Sequence, residues 1–285
     1  MTDARRDLPD VLVLDDAGEG RYVVHHPTDD PEGRDVVFSG QVIAQMIMAA
    51  DEAVDHEKDV KSIHAVFARA GTYTQPMELT LETMHSGRAW ASHTVTAWQS
   101  ERMMSRGLVL MNTVEPDLMR HGPAMPDVAR PGALEPDAGA LVYPGVQTRT
   151  VADPGAVAPD GTPAMHFWMR HEESFGSGAA NQAILAWSQP GFIIGLAMRP
   201  HAEKVRIGDA HRSVSTGVIA HTCHFHERFD VGQWLLVSQA ATFAGNGRVH
   251  GIGSVFTEDG ALVATFAQDS MVRGVEGTLD PRRSM

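Results

Sequence analysis

The chain has 285 residues, a net charge of −13 and a pI near 5.5. That balance argues against nucleic acid or an anionic membrane as the principal partner, because both reward a basic surface. One cysteine, Cys223, excludes an internal disulfide framework and fits a reducing, cytoplasmic setting, and the length fits two domains of roughly 100–150 residues.

The N-terminal stretch MTDARRDLPDVLVLDDAGEG lacks the apolar core of a signal peptide, so it is read as an unprocessed start. Ser39-Gly40-Gln41 then opens a run, VIAQMIMAA, with no charge until Asp51. Serine or glycine before such a run suits a helix N-terminus, and a helix apolar on every side is a buried one. Strand-length runs follow from Phe67 to Asn112, broken by turns at Gly87-Arg88 and Ser100-Glu101.

Between Pro116 and Pro163 lie nine of the sixteen prolines, with many Ala, Gly and Asp, the composition of a linker. Its length lets it cross the molecular surface, so that two units meet side by side and pair edge to edge, removing exposed sheet edges. Ser177-Gly178 next introduces AANQAILAWS, and Pro190-Gly191 breaks it because proline disfavours helical geometry in the residue before it. Ser174 to Met198 carries no charge, but Asn181, Gln182, Ser188, Gln189 and Pro190 interrupt it, so a buried helix and not a membrane span is expected.

The chain then repeats itself. At a constant offset of 158 (225 − 67), Phe67–Asn112 falls on Phe225–Ser270 without a gap, Gly87-Arg88 landing on Gly245-Asn246 and Ser100-Glu101 on Glu258-Asp259. The expected fold class is α+β: a buried helix followed by a curved antiparallel sheet, used twice. The domains are placed at 1–115 and 165–285, with 116–164 as the Pro-rich linker.

Within this repeat, polar residues replace apolar ones in the second copy. Gln268 shares a strand face with Ala264 and Phe266 and aligns with Leu110, while Gln189 aligns with Met48 when Gln41 is set on Gln182. A buried amide without partners costs about 1–3 kcal/mol, so such replacements usually have a use. The bland alternative is that Gln189 caps its own helix and Gln268 lies on a solvated rim. His221, His224 and His226 crowd one strand, with His221 facing opposite to the other two; a structural or surface role is expected for them. His64 is a candidate for polar packing where the units meet. No HExxH, CxxC, EF-hand or GxSxG pattern occurs, so neither metal nor cofactor is expected. Cys223 and His224 face opposite sides of a strand and make no nucleophile–base pair.

Several segments together resemble one family. VFSGQVIAQMIMAA, SIHAVFARAG and GRAW…VTAWQ in the first unit, and RPH, HFHERFDVGQWLLVSQ and FTEDGALVATFAQDSMVR in the second, are similar to the double-hotdog acyl-CoA thioesterases of the bacterial thioesterase II type. The resemblance implies two tandem hotdog domains, each a long helix wrapped by its sheet, and hydrolysis of fatty acyl-CoA to fatty acid and CoA, in a protein that commonly pairs again into a homo-oligomer. In the family an aspartate, a threonine and a glutamine order the attacking water. The glutamine matches Gln268, the aspartate position holds Gln189, and the threonine position falls near Val218, or on Ser215 or Thr216 if the loop is shifted.

Glutamine accepts no proton near neutrality, and a positioned base contributes about 10²–10⁴-fold. The substitution therefore leaves open a slow hydrolase or a non-catalytic acyl-CoA or acyl-carrier binding protein. Glu173 or Asp269 is the alternative source of a carboxylate. A hydratase of the same fold would need a histidine and a carboxylate on the second helix, which offers neither. For the oxyanion, and for contacts to acyl-CoA generally, backbone N–H groups at a helix start are expected, at Gly40 and Gln41 or at Gly178 to Gln182, with Arg88 as a candidate phosphate contact.

Overall fold

The computed structural model describes residues 9–274 except 25, 27–34, 55–57, 138–144, 152–157, 159, 177, 191 and 206–213. The first half contains β1 (Leu14–Gly18), β2 (Arg21–Val24), α1 (Ser39–Glu52), β3 (Lys58–Phe67), β4 (Met77–Ser86), β5 (Trp90–Gln99) and β6 (Arg102–Thr113). The second contains β7 (Val146–Val151), β8 (Ala164–His171), α2 (Gly178–Ser188), α3 (Phe192–Met198), β9 (Val214–Phe225), β10 (Leu235–Gly245), β11 (Arg248–Thr257) and β12 (Leu262–Gly274).

All twelve strands form one antiparallel sheet in the order β1-β2-β4-β5-β6-β3-β9-β12-β11-β10-β8-β7. The order reads the same from either edge once the halves are superposed, and the halves join at β3 and β9, from Ser62 opposite His224 to Val66 opposite Ala220. Edge-to-edge joining is therefore real, and at its centre His64 Nδ1 lies 2.5 Å from Thr222 Oγ1. A free edge on each half would expose unpaired N–H and C=O groups; merging them removes that liability.

The three helices lie against the sheet, and every residue from Gly40 to Ala50 of α1 is buried, as its lack of charge requires. Phe38 takes the N-cap position without a side-chain cap, so Ser39 begins the helix proper and does not cap it. In α2 the Ser188 hydroxyl bonds back to Ile184 O at 2.8 Å, and Pro190 ends the helix. Ser177 and Gly191 lie outside the described residues.

Four features depart from the sequence reading. The segment before α1 contributes β1 and β2, with Val11, Leu12 and Tyr22 in the core, so each helix is preceded as well as followed by strands. The stretch expected as linker contains β7, an edge strand of the second half. Its earlier part packs on the sheet: Trp168 Nε1 donates to Ala129 O at 2.8 Å, and Met125, Val128 and Leu134 cover Trp168, Leu236 and Phe256. The uncharged run after Pro190 forms a separate helix, α3, packed on β10 and β11.

The fourth departure is in the repeat itself. Ala97 pairs with Ser105 and Val255 with Ala264, so the offset grows from 158 (255 − 97) to 159 (264 − 105) across the last turn. The first turn is the tight pair Ser100 and Glu101, both at positive φ, whereas the second closes from Thr257 to Ala261 with Gly260 at φ 97°. Gln268 therefore corresponds to Val109, which is buried, and not to Leu110, which is 38% exposed. A one-residue slip moves a side chain to the other face of a strand.

Candidate functional site

The two amides that replace hydrocarbons meet. Gln189, one residue past α2, and Gln268, in β12, are both buried, and His221 of β9 stands between them. His221 Nε2 lies 3.1 Å from Gln189 Oε1, and its Nδ1 lies 3.3 Å from Gln268 Oε1. Gln268 Nε2 in turn donates to Ser270 Oγ at 2.9 Å. Strand pairing explains the geometry: His221 is directly opposite Gln268, and Ser270, two residues on, shares its face. Gln189 arrives from above because proline stops the helix just there. Neither bland alternative holds, since Gln189 does not cap its helix and Gln268 is only 1% exposed.

His221 is the residue that the sequence reading passed over in expecting a structural or surface role for this histidine-rich strand. The usable signal was parity: it faces opposite to His224, which is exposed, and the same way as Cys223, which is fully buried. Ser270 was missed too, although it follows Gln268 at the spacing that keeps a strand face. Val218 is the residue opposite Ser270, and Thr216 the one opposite Val272, so both lie farther along the strand face that starts at His221, past a register shift in β9. Val218 brings no hydroxyl; Ser270 supplies one from the neighbouring strand. Ser215 pairs with Arg273, one step off that face.

The two carboxylates considered as substitutes are elsewhere. Asp269 lies on the opposite face and binds Arg248 at 2.6 Å, while Glu173 is exposed in the loop after β8, its N–H bonded to His171. Burial holds the His221 imidazole down to about 4; the Gln268 bond works against this and His64 adds to it. The ring is neutral near pH 7. Burial likewise pushes the Cys223 thiol up to about 12, the adjacent Gln189 amide offsetting this in part, so Cys223 is no thiolate.

The start of α1 lies at this same end. A Cβ on Gly40 would sit 2.3 Å from Trp187 O, two residues before Gln189, so only glycine lets the start of α1 approach the end of α2 so closely. The first-turn N–H groups at Gly40 and Gln41 thus border the amide cluster, with Gln41 Nε2 3.0 Å from His26 Nδ1. Gly178 and Gln182 are at the far end of α2. Gln182 Nε2 donates to Val60 O at 2.8 Å and Gly178 approaches Asp59, whereas His221 is opposite Ala65. The separation from Asp59 to Ala65 is six residues, roughly 20 Å of strand. Arg88, exposed in the β4–β5 turn, is also at that far end, since its neighbour Ala89 accepts from Thr113 N and Thr113 pairs with Lys58.

Among the described residues no group of three or more His, Cys, Asp or Glu side chains could hold a metal ion, and no helix is long and apolar enough to cross a membrane. A set of two carboxamides, one neutral imidazole and one hydroxyl, beside the start of a helix, can orient a water and stabilise developing negative charge.

Comparison with known proteins agrees with this organisation. Residues 27–112 match the acyl-CoA thioesterase N-terminal domain and residues 121–272 the acyl-CoA thioesterase C-terminal domain. Human acyl-coenzyme A thioesterase 8 is 26% identical over 263 residues, covering 83% of this chain and 80% of the human one. Acyl-CoA thioesterase 2 of Haemophilus influenzae is 27% identical over 258 residues, covering 83% and 87%. Among solved structures, acyl-CoA thioesterase II TesB2 from Mycobacterium marinum superposes with a TM-score of 0.81 at 23% identity, covering 94% of this chain and 98% of the other. A hot dog fold protein from Alicyclobacillus acidocaldarius superposes at 0.74, 19% identical, covering 93% and 97%. The fold is a double hotdog.

Proposed function

Because the chain belongs to the acyl-CoA thioesterase family, a family of thioester hydrolases, we propose that it hydrolyses fatty acyl-CoA to fatty acid and CoA at the cluster formed by Gln189, His221, Gln268 and Ser270. The observation that carries this reading is the convergence of two buried carboxamides on one imidazole beside the start of α1. In this reading the Gln268 and Gln189 side chains orient the water. The N–H groups of Gly40 and Gln41 face the thioester oxygen, where orphan donors and the helix dipole favour the oxyanion. Val218 and Thr216 line the approach along β9. The same reading makes the protein cytoplasmic and homo-oligomeric, and a one-subunit mass in solution would remove the second of these.

Gln189 supports a second reading. With an amide where a carboxylate is expected, the site could bind acyl-CoA or an acyl carrier and release little or no thiol. Incubation with short, medium and long acyl-CoAs, with a thiol-trapping reagent reading free CoA, separates the two. Thiol release that Gln268→Ala lowers by about 10²–10³-fold is the hydrolase outcome, the size expected when one oriented polar group is lost. Saturable binding of a thioether acyl-CoA without any release from the thioester is the binder outcome.

A further inference from the structure

The cluster lacks a carboxylate, yet hydrolysis needs a group to take the proton from water. Gln189 and Gln268 are neutral amides, the Cys223 thiol holds its proton, and Asp269 and Glu173 point elsewhere. His221 is the titratable side chain that touches both amides.

The hydrogen-bond arithmetic also singles out one of its nitrogens. A neutral imidazole has one N–H and one lone pair, but here it meets two amide oxygens. Gln268 donates from Nε2 to Ser270 Oγ, and in that orientation its oxygen accepts from His221 Nδ1–H. The lone pair is then on Nε2, facing Gln189 Oε1 at 3.1 Å with no proton between them. Gln189 Nε2, also buried, finds no nitrogen or oxygen acceptor and has only the Cys223 sulfur, a weak one, beside it. Two facing acceptors beside a donor left with a weak sulfur acceptor mark the place where the network is incomplete, and a water there would complete it.

Resting on the thioesterase reading above, we propose that His221 Nε2 is the general base of this site, taking the role that a carboxylate at position 189 would otherwise fill. The water donates to Nε2 and to Gln189 Oε1. As its oxygen bonds to the thioester carbon, its proton passes to Nε2 and the carbonyl becomes an oxyanion. When that intermediate collapses, the C–S bond breaks with its electron pair on sulfur, and the proton on Nε2 moves to the sulfur. The products are the carboxylic acid and the CoA thiol, and the ring is neutral again.

The ring is faced by Gln189 from the end of α2, Gln268 and Phe266 from β12, and Cys223 from its own strand; His64 of β3 acts on it at longer range and disfavours its charged form. No carboxylate among these groups raises the affinity of the ring for a proton. Its proton affinity is therefore low, near that of an ordinary carboxylate, and the rate should be level at neutral pH and fall as pH drops through about 4.

Thiol release is measured across pH for the native chain, His221→Asn and Gln189→Asp, with thioether acyl-CoA binding in parallel. We expect His221→Asn to lower kcat by about 10²–10⁴-fold, to leave thioether binding unchanged and to erase the acid inflection. Gln189→Asp keeps the ring and sets a carboxylate against Nε2, so the inflection should move to higher pH, which keeps the proposal testable if His221→Asn does not fold. NMR of the native chain with isotope-labelled histidine should show the proton on Nδ1. Hydrolysis by His221→Asn at the native rate, an inflection that Gln189→Asp leaves in place, or a proton on Nε2 in the native ring would each overturn the base assignment while leaving the thioesterase reading intact. A native chain that releases no thiol from any acyl-CoA overturns both.

Discussion

The two ends of the helix pair are built from the same repeat and have been filled in opposite ways. At one end the start of α1 meets Gln189, His221, Gln268 and Ser270. The repeat counterparts of those four residues are Met48, Ile63, Val109 and Met111, all of them buried hydrocarbon, and the start of α2 lies beside Asp59. The anion-favouring helix start at this second end is also occupied: the Asp59 carboxylate lies within 3.4 Å of where a Gly178 Cβ would be, and Arg228 grips it at 2.9 and 3.1 Å. The lesson is that a duplicated fold supplies two candidate sites, and side-chain polarity together with one ion pair makes one of them polar and leaves the other hydrocarbon and ion-paired.

The comparison is broken most severely at the two helix-start glycines. Gly40→Ala forces a Cβ to 2.3 Å from Trp187 O, a backbone atom that cannot swing away, and should cost about 3 kcal/mol in a urea melt along with most thiol release. Gly178→Ala meets only ordinary contact at 3.4 Å and should change stability by less than about 1 kcal/mol, with activity kept. Equal costs at both positions would mean that the ends are not distinguished by packing.

Acid stability gives a second contrast, between His221 and its counterpart Ile63. The folded ring titrates near 4 and the ordinary value is 6.5, so between these pH values the unfolded chain binds a proton that the folded chain refuses. The contribution is intact above 6.5 and is lost as pH falls towards 4, amounting to at most about 3 kcal/mol. His221→Asn should flatten that limb of the stability–pH curve, while Ile63→Val should leave its shape unchanged.

Gln189→Asp sharpens the difference between the ends by adding charge to the polar one. Besides moving the acid inflection, it should raise thiol release at neutral pH by about tenfold, because a carboxylate against Nε2 makes the ring a stronger base. A folded variant that binds thioether acyl-CoA but gains nothing would place the chemistry elsewhere in the molecule. The smallest effect belongs to the occupied end. Arg228→Ala removes a partner whose side chain is 65% exposed, so solvent screening limits the loss to about 1 kcal/mol, read as a small fall in Tm with kcat unchanged.

Much of this architecture was legible in the residues. Uncharged runs after Ser39 and Gly178 marked buried helices because a charge cannot be left inside a core. Coincident turns marked the duplication, and amides standing where its first copy has hydrocarbon pointed to Gln189 and Gln268 as a pair. The strands β1, β2 and β7 were not legible, since runs of five, four and six residues are too short to establish a period against their surroundings. Their strand character comes from the neighbour they pair with.

The identity of the third member of the cluster was decided by folding alone. In the sequence His221 is one of fifteen histidines, 32 residues from Gln189 and 47 from Gln268. Local preference fixed which face of β9 it occupies, but nothing local brings β12 opposite β9 or lowers the end of α2 onto them. The extra residue in the β11–β12 turn has the same character: it is invisible to a gap-free alignment, yet it sets which side chain of the last strand faces inward. Sequence determined where polar groups interrupt an apolar repeat, because that is a property of residue types along the chain. Tertiary structure decided which of them touch and what burial does to their protons, because both depend on neighbours contributed by distant segments.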